Sequence, residues 1–288
     1  MCGIFGFSLV RELYASDIDM GLEQLHSLSH RGPDGEGHAA FGEKGVFIGH
    51  CRLAILDTSQ RASQPMSRDR FTIAHNGEIY NFLELREILE KKGVKFTTDS
   101  DTEVLINAWR NDGVDCLDEL DGMFAFALFD GEVTNLVTDP FGEKPLYYGW
   151  AGSGAGRAFV FGSELKAMRA FPGFDNPVCR QALAQYMRFM YVPAPRSIYQ
   201  GVYKLEPGCV LTITGAPPAE TPAQPLRPPA IYETLMMSRW WSLADVVQAG
   251  AQKSITDEVE AVNALEQRLA DAVRLQSLAD VPLGVMLS

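Results

Sequence analysis

The sequence predicts an α+β fold, a layered domain of antiparallel sheets and amphipathic helices over about the first 210 residues. Three observations predict it. Short apolar runs bounded by turn formers mark strands, two stretches with helical spacing fall together between them, and four more apolar runs then alternate with Gly-centred turns. Helices and strands therefore come in blocks and not as regular βα repeats.

In chain order, residues 3–10 (GIFGFSLV), 46–56 (VFIGHCRLAIL) and 71–75 (FTIAH) are expected as buried strands that give the domain its sheet. Residues 81–92 put Leu85, Ile88 and Leu89 on one face with Gly93 as a stop, and residues 102–110 repeat the pattern with Val104, Leu105 and Ala108. Both are expected as helices. MFAFALFD (123–130), VTNLVTD (133–139), PLYYGW (145–150) and AFVFGS (158–163) then predict an antiparallel meander, a second sheet. The proline-dense run 215–230 predicts a surface loop or linker, part of a linker region over 215–256. Beyond it Val262, Leu265, Leu269, Ala272 and Val273 recur at helical spacing and lead into a strand-like VPLGVMLS (281–288). That apolar run has nothing behind it to pack against, so residues 257–288 are expected to be the truncated start of a second domain, after a first spanning 2–214.

Composition narrows the function classes. At 288 residues the chain exceeds the ~100–200 residues of an ordinary single core, so two units are expected. Hydrophobic residues make up 46% and charged residues 22%, a globular balance. The net charge of −12 argues against nucleic acid or an anionic membrane as partner and favours small molecules. Cys2, Cys51, Cys116, Cys179 and Cys209 form no C-x-x-C pair, so neither a zinc site nor a disulfide framework is indicated. The N-terminus lacks a basic leader and no run of about 18 apolar residues occurs, which reads as a soluble, cytoplasmic chain.

Removal of Met1, which a small second residue permits, would set the Cys2 thiol beside a free α-amine. The amine titrates near ~7.7–8.0 and a thiol near ~8.5, so the amine can take the thiol proton directly or through one water and leave a thiolate. By residue type alone, a buried strand cysteine is the commoner reading of Cys2, and it is context that reverses it.

Eight motifs supply context: MCGIFGF, HRGPDGEG (30–37), GHCRLAILD (49–57), HNGEIYN (75–81), TDSDTEV (98–104), LDGMFAFALFD (120–130), DPFGEKPLYYG and the terminal VPLGVMLS. Together they resemble the class II, N-terminal nucleophile glutamine amidotransferases, and among these most closely the glutamine-hydrolysing asparagine synthetases, over residues 1–214 and again over 257–288. The resemblance implies a four-layer α/β/β/α N-terminal nucleophile hydrolase fold, followed by a truncated piece of an α/β ATP-pyrophosphatase domain. It assigns catalysis to Cys2 with Asn76 and Gly77 as oxyanion donors, an amide side chain and an unhindered backbone N–H. Asn-Gly is also a hairpin-turn signal, type I′, and the two readings are compatible. For the glutamine head group it assigns Arg52 to the carboxylate and Asp101 to the ammonium, with Glu78 and the backbone around Leu53 and Ile55 lining the pocket.

HRGPDGEG reads as a tight turn over the N-terminus, with His30 and Arg31 as hydrogen-bonding groups and no catalytic role. Residues 152–156 (GSGAG) lack the Lys-Ser/Thr of a phosphate loop and read as a hairpin tip. Ser288 would be the first residue of an ATP loop whose remainder lies beyond the sequence. The full reaction implied is ATP, L-aspartate, L-glutamine and water giving AMP, pyrophosphate, L-asparagine and L-glutamate, with Mg2+. This part would perform the glutaminase half without a cofactor, taking L-glutamine as partner, with L-aspartate and ATP engaged only by the missing synthetase domain. A homodimer is compatible with this reading. The alternatives are another amidotransferase, with an aspartate-like or other acceptor, and a catalytically silent glutamine-binding module.

Overall fold

A computed structural model describes residues 2–285. Its elements in chain order are β1 (Gly3–Leu9), α1 (Ala15–His26), β2 (Gly35–Phe41), β3 (Val46–Arg52), β4 (Met66–Arg68), β5 (Phe71–Ile79), α2 (Phe82–Lys91), α3 (Asp101–Asp112), β6 (Gly122–Phe129) and β7 (Val133–Thr138). There follow β8 (Tyr147–Ala151), β9 (Ala158–Gly162), α4 (Leu165–Arg169), α5 (Arg180–Phe189), β10 (Val202–Lys204), β11 (Cys209–Thr214), β12 (Ala230–Tyr232), β13 (Leu235–Arg239), α6 (Leu243–Ala251) and α7 (Glu258–Gln276). One sheet has the order β10-β8-β9-β1-β3-β2 and the other β12-β13-β11-β7-β6-β5-β4.

The sheets pack face to face. Ile4, Ile48, Phe159 and Phe161 of the first meet Ala74, Ala125, Ala127, Leu136 and Leu211 of the second in one buried cluster. On the outer face of the first sheet, Phe5, Phe7 and Phe47 pack with Leu25 of α1 and with Ala167 and Met168 of α4. On the outer face of the second, Ile73, Phe124 and Phe126 pack with Leu85 and Leu89 of α2 and with Val104 and Leu105 of α3. This is the expected α/β/β/α order of layers. It explains why β1 reads as a continuous apolar run: a strand covered on both faces has no solvent side to alternate with.

Several local expectations are corrected. The runs read as one meander divide between the sheets, β6–β7 pairing in the second and β8–β9 in the first. Each hairpin is closed by local turns, and alternation within it carries no information about which sheet it joins. The run 46–56 leaves the ladder at Arg52, and the strand begun at Phe71 continues to Ile79. Asn76 and Gly77 therefore lie inside β5, opposite Ala125 and Phe124, and not in a hairpin turn. Ile88 is 42% exposed, while α2 buries Phe82, Leu85 and Leu89.

The region 215–256 is not all loop. β13 pairs with β11, and Leu235 and Met237 join the core between the sheets. Residues 281–285 form no strand, with Leu283 and Val285 exposed, and Ser288 lies outside the described residues. No helix among the described residues is long and apolar enough to cross a membrane.

Candidate active site

The site is built at the N-terminal end of β1. Gly3 pairs with Cys51, and the Ile4 N–H donates to Ser163 Oγ at 3.0 Å, which fixes the chain just after Cys2. Arg31 grips the same point: its Nε donates to the Cys2 carbonyl at 2.8 Å and its Nη1 to Glu164 at 3.0 Å. Gly32 allows this approach, since a Cβ there would fall 2.3 Å from the Cys51 carbonyl carbon. The Cys2 Sγ is then 3.4 Å from the Leu53 N–H and 3.7 Å from the Leu53 carbonyl oxygen. Burial pushes the thiol above its ordinary value, against the opposing pull of the Leu53 backbone hydrogen bond. A resting thiolate is thus disfavoured.

β5 brings two groups to this point. The Asn76 side chain is fully buried, and neither its Nδ2 nor its Oδ1 has a partner among the described residues. Buried amides are ordinarily satisfied, so an orphaned one facing a cavity has hydrogen-bonding capacity to offer a polar ligand or a water. Gly77 sits so close to β6 that a Cβ would lie 2.1 Å from the Met123 carbonyl oxygen, which rules out a side chain at that position.

Arg52, at the end of β3, is 8% exposed and donates to backbone carbonyls of Ser59 at 2.8 Å, of Leu56 at 3.4 Å and of Asp57. No carboxylate among the described residues forms an ion pair with it, so its buried charge is oriented but unmatched. Asp101 opens α3, next to the cap Ser100 that accepts from the Thr102 N–H. Its Oδ2 accepts from the Ile79 N–H at 3.0 Å. The turn ahead of α3 is held by Glu103, which accepts from the backbone N–H groups of Thr97 and Thr98 and from Arg68.

Cys2, Arg52, Leu53, Ile55, Gly77, Glu78 and Asp101 line one cavity. A second, of about 130 Å3, shares Cys2, Leu53, Ile55, Gly77 and Glu78 and adds Asn76, Met123 and Lys144. Every site residue expected from the sequence within 2–285 is therefore at this place. Burial and the nearby Asp101 push the Glu78 carboxyl up, and burial pulls Lys144 down against the neighbouring acids Glu143 and Glu78. A larger groove, about 590 Å3 and lined by Trp150, Arg157, Arg196 and Tyr199 among others, holds none of these groups. Size alone does not mark chemistry.

Sequence reasoning missed Lys144 and Gln64. Gln64 lines the Arg52 cavity and its Oε1 accepts from the His75 N–H at 2.6 Å. Lys144 falls within the DPFGEKPLYYG motif, but nothing in that motif's spacing, or around Gln64, sets either apart from surface residues; only the fold brings them in. His30 pairs with Glu164 at 3.0 Å and lines neither cavity, and residues 154–156 form a short turn between β8 and β9.

A family model for the glutamine amidotransferase domain matches residues 1–221. The chain belongs to that family. This amidotransferase is 32% identical over its whole length to a putative asparagine synthetase (glutamine-hydrolyzing) 2 of Methanocaldococcus jannaschii, of which it covers 54%. To asparagine synthetase (glutamine-hydrolyzing) 1 of Bacillus subtilis it is 34% identical, again over its whole length, and covers 42%. The amidotransferase thus spans about half, or less, of these relatives. Among solved structures, the glutamine phosphoribosylpyrophosphate amidotransferase of B. subtilis superposes with a TM-score of 0.58 at 24% identity, covering 84% of this chain and 50% of that one. At that identity the likeness speaks for the fold.

Proposed function

We propose that the site hydrolyses L-glutamine with Cys2 as nucleophile, after removal of Met1 frees the Cys2 α-amine. The observation that carries this is the pairing of charges in the Cys2 cavity: a buried, unmatched Arg52 cation and the Asp101 carboxylate. That is the complement of an α-carboxylate and an α-ammonium. The α-amine takes the thiol proton as Sγ bonds to the amide carbon, and Asn76 with the Gly77 N–H receives the oxyanion. The C–N bond then breaks, ammonia leaves with the proton held by the amine, and a thioester remains. Water, deprotonated by the same amine, releases glutamate and restores the thiol. No cofactor takes part in this sequence.

The names of the longer relatives support a destination for the ammonia. In a protein carrying a synthetase half it would amidate L-aspartate activated by ATP with Mg2+, in the cytoplasm. The hydrolytic half is tested by glutamate release from glutamine. Wild-type protein is expected to turn over and Cys2→Ala to lose activity by orders of magnitude; a Cys2→Ala variant with most of the wild-type rate would exclude the assignment.

A further inference from the structure

The loop 53–59 forms the wall of the Cys2 cavity through Leu53, Ile55 and Leu56, and its carbonyls orient the Arg52 guanidinium. It has no ladder of its own. Three acidic residues hold it, two of them from elsewhere in the chain. Asp34 Oδ2 accepts from the Ala54 N–H at 2.9 Å. Asp57, itself in the loop at φ 46°, accepts from the Asp99 N–H at 2.8 Å and from the Ser59 N–H at 3.1 Å. The third is Asp280, more than 200 positions away in sequence: its Oδ2 accepts from the Asp57 N–H at 2.7 Å, and its own N–H donates to the Ile55 carbonyl at 3.0 Å. Leu278, two residues earlier, packs with Leu56 against the core under α2 and α3.

We propose that Asp280 is a positioning residue for glutamine recognition: by clasping the backbone of residues 55–57 it holds the carbonyls that aim Arg52. The inference rests on the glutaminase reading above. The two bonds act on both sides of Leu56, whose carbonyl is one of the Arg52 acceptors, so releasing them frees the part of the loop that orients the guanidinium. A carboxylate accepting a backbone N–H is among the stronger hydrogen bonds, and here it stands in for a missing strand partner. Asp280 lies just after α7, a helix with no buried residue, so the clasp also ties the position of that segment to the glutamine pocket.

The test uses Asp280→Ala and Asp280→Asn in the whole chain, read by steady-state glutaminase kinetics and by hydrogen exchange over residues 53–59. For Asp280→Ala we expect a KM for glutamine raised about 3- to 10-fold with kcat within about twofold, since Arg52 acts on a group whose charge does not change in the reaction. Exchange over the loop should be faster, and Asp280→Asn, which keeps an acceptor, should recover part of both effects. A change in only one of the two readouts, a fall in kcat with unchanged KM, or no change in either would overturn the proposal. Should wild-type protein not hydrolyse glutamine, the functional reading fails, and exchange alone then decides the clasp: faster exchange in Asp280→Ala upholds it and unchanged exchange refutes it.

Discussion

At the scale of single residues, the proposed mechanism separates groups that would hold the substrate from groups that would meet developing charge. On that reading Arg52 and Asp101 would face parts of glutamine whose charge is constant through the reaction, so Arg52→Ala and Asp101→Ala should mainly raise KM. Asn76→Ala should instead lower kcat, by on the order of 10²–10³, with a smaller change in KM. Steady-state kinetics of the three variants checks this, and the reverse division would mean the roles are exchanged. That these residues come together was legible before the structure, but only through motif position. Arg52 and Asp101 look like any charged residues in composition, and it is the burial of Arg52 without a carboxylate that gives the assignment a physical basis. Lys144, Gln64 and Asp280 were not legible, because their places depend on tertiary packing: Gln64 meets His75 and Thr102, Lys144 shares a cavity with Cys2 and Asn76, and Asp280 meets residues 55 and 57.

At the scale of elements, one hydrogen bond joins the two sheets beneath the site. His50 of β3 meets the His75 carbonyl of β5 at 2.9 Å, and its other ring nitrogen has no partner among the described residues. Burial lowers its pKa from the ordinary 6.5 to about 3, so the folded protein keeps the ring neutral, as it does that of His75, also depressed by burial. The unfolded chain binds protons at these rings once pH falls below about 6.5. Stability is therefore full above that pH and is lost as pH falls towards the folded value, by on the order of 1 kcal/mol per pH unit for His50, with His75 acting in the same direction. Urea unfolding at pH 7, 6 and 5 should show this decline, and His50→Gln, which keeps a donor for the His75 carbonyl, should flatten it. An unchanged slope in the variant would mean His50 does not titrate as described. Strands covered on both faces were readable as continuous apolar runs, and α2 and α3 by their spacing. The assignment of each hairpin to its sheet was not, because it is fixed by packing across the core. α1 passed unnoticed although Ile18, Leu22 and Leu25 carry its helical period.

At the scale of the molecule, the second sheet is completed by residues that composition alone would leave in a linker. Leu235 and Met237 are 0% and 2% exposed, and Trp240 stacks on Phe124 with ring centroids 6.1 Å apart. A chain ending after residue 214 would lose these, and burial of a Leu and a Met at about 1.5–3 kcal/mol each predicts a loss of roughly 3–6 kcal/mol. Urea midpoints of that chain and of one ending after residue 241 should differ accordingly; equal midpoints would mean that the β12–β13 hairpin adds nothing to the core. The central claim remains that an N-terminal cysteine does the chemistry. It is tested most directly by treating the purified protein with an electrophilic diazoketone analogue of glutamine and locating the adduct by peptide mass spectrometry. One adduct is expected, on Cys2 of molecules that have lost Met1, prevented by excess glutamine and absent from Cys2→Ala. An adduct on any other residue, or full glutaminase activity in protein that retains Met1, would contradict it.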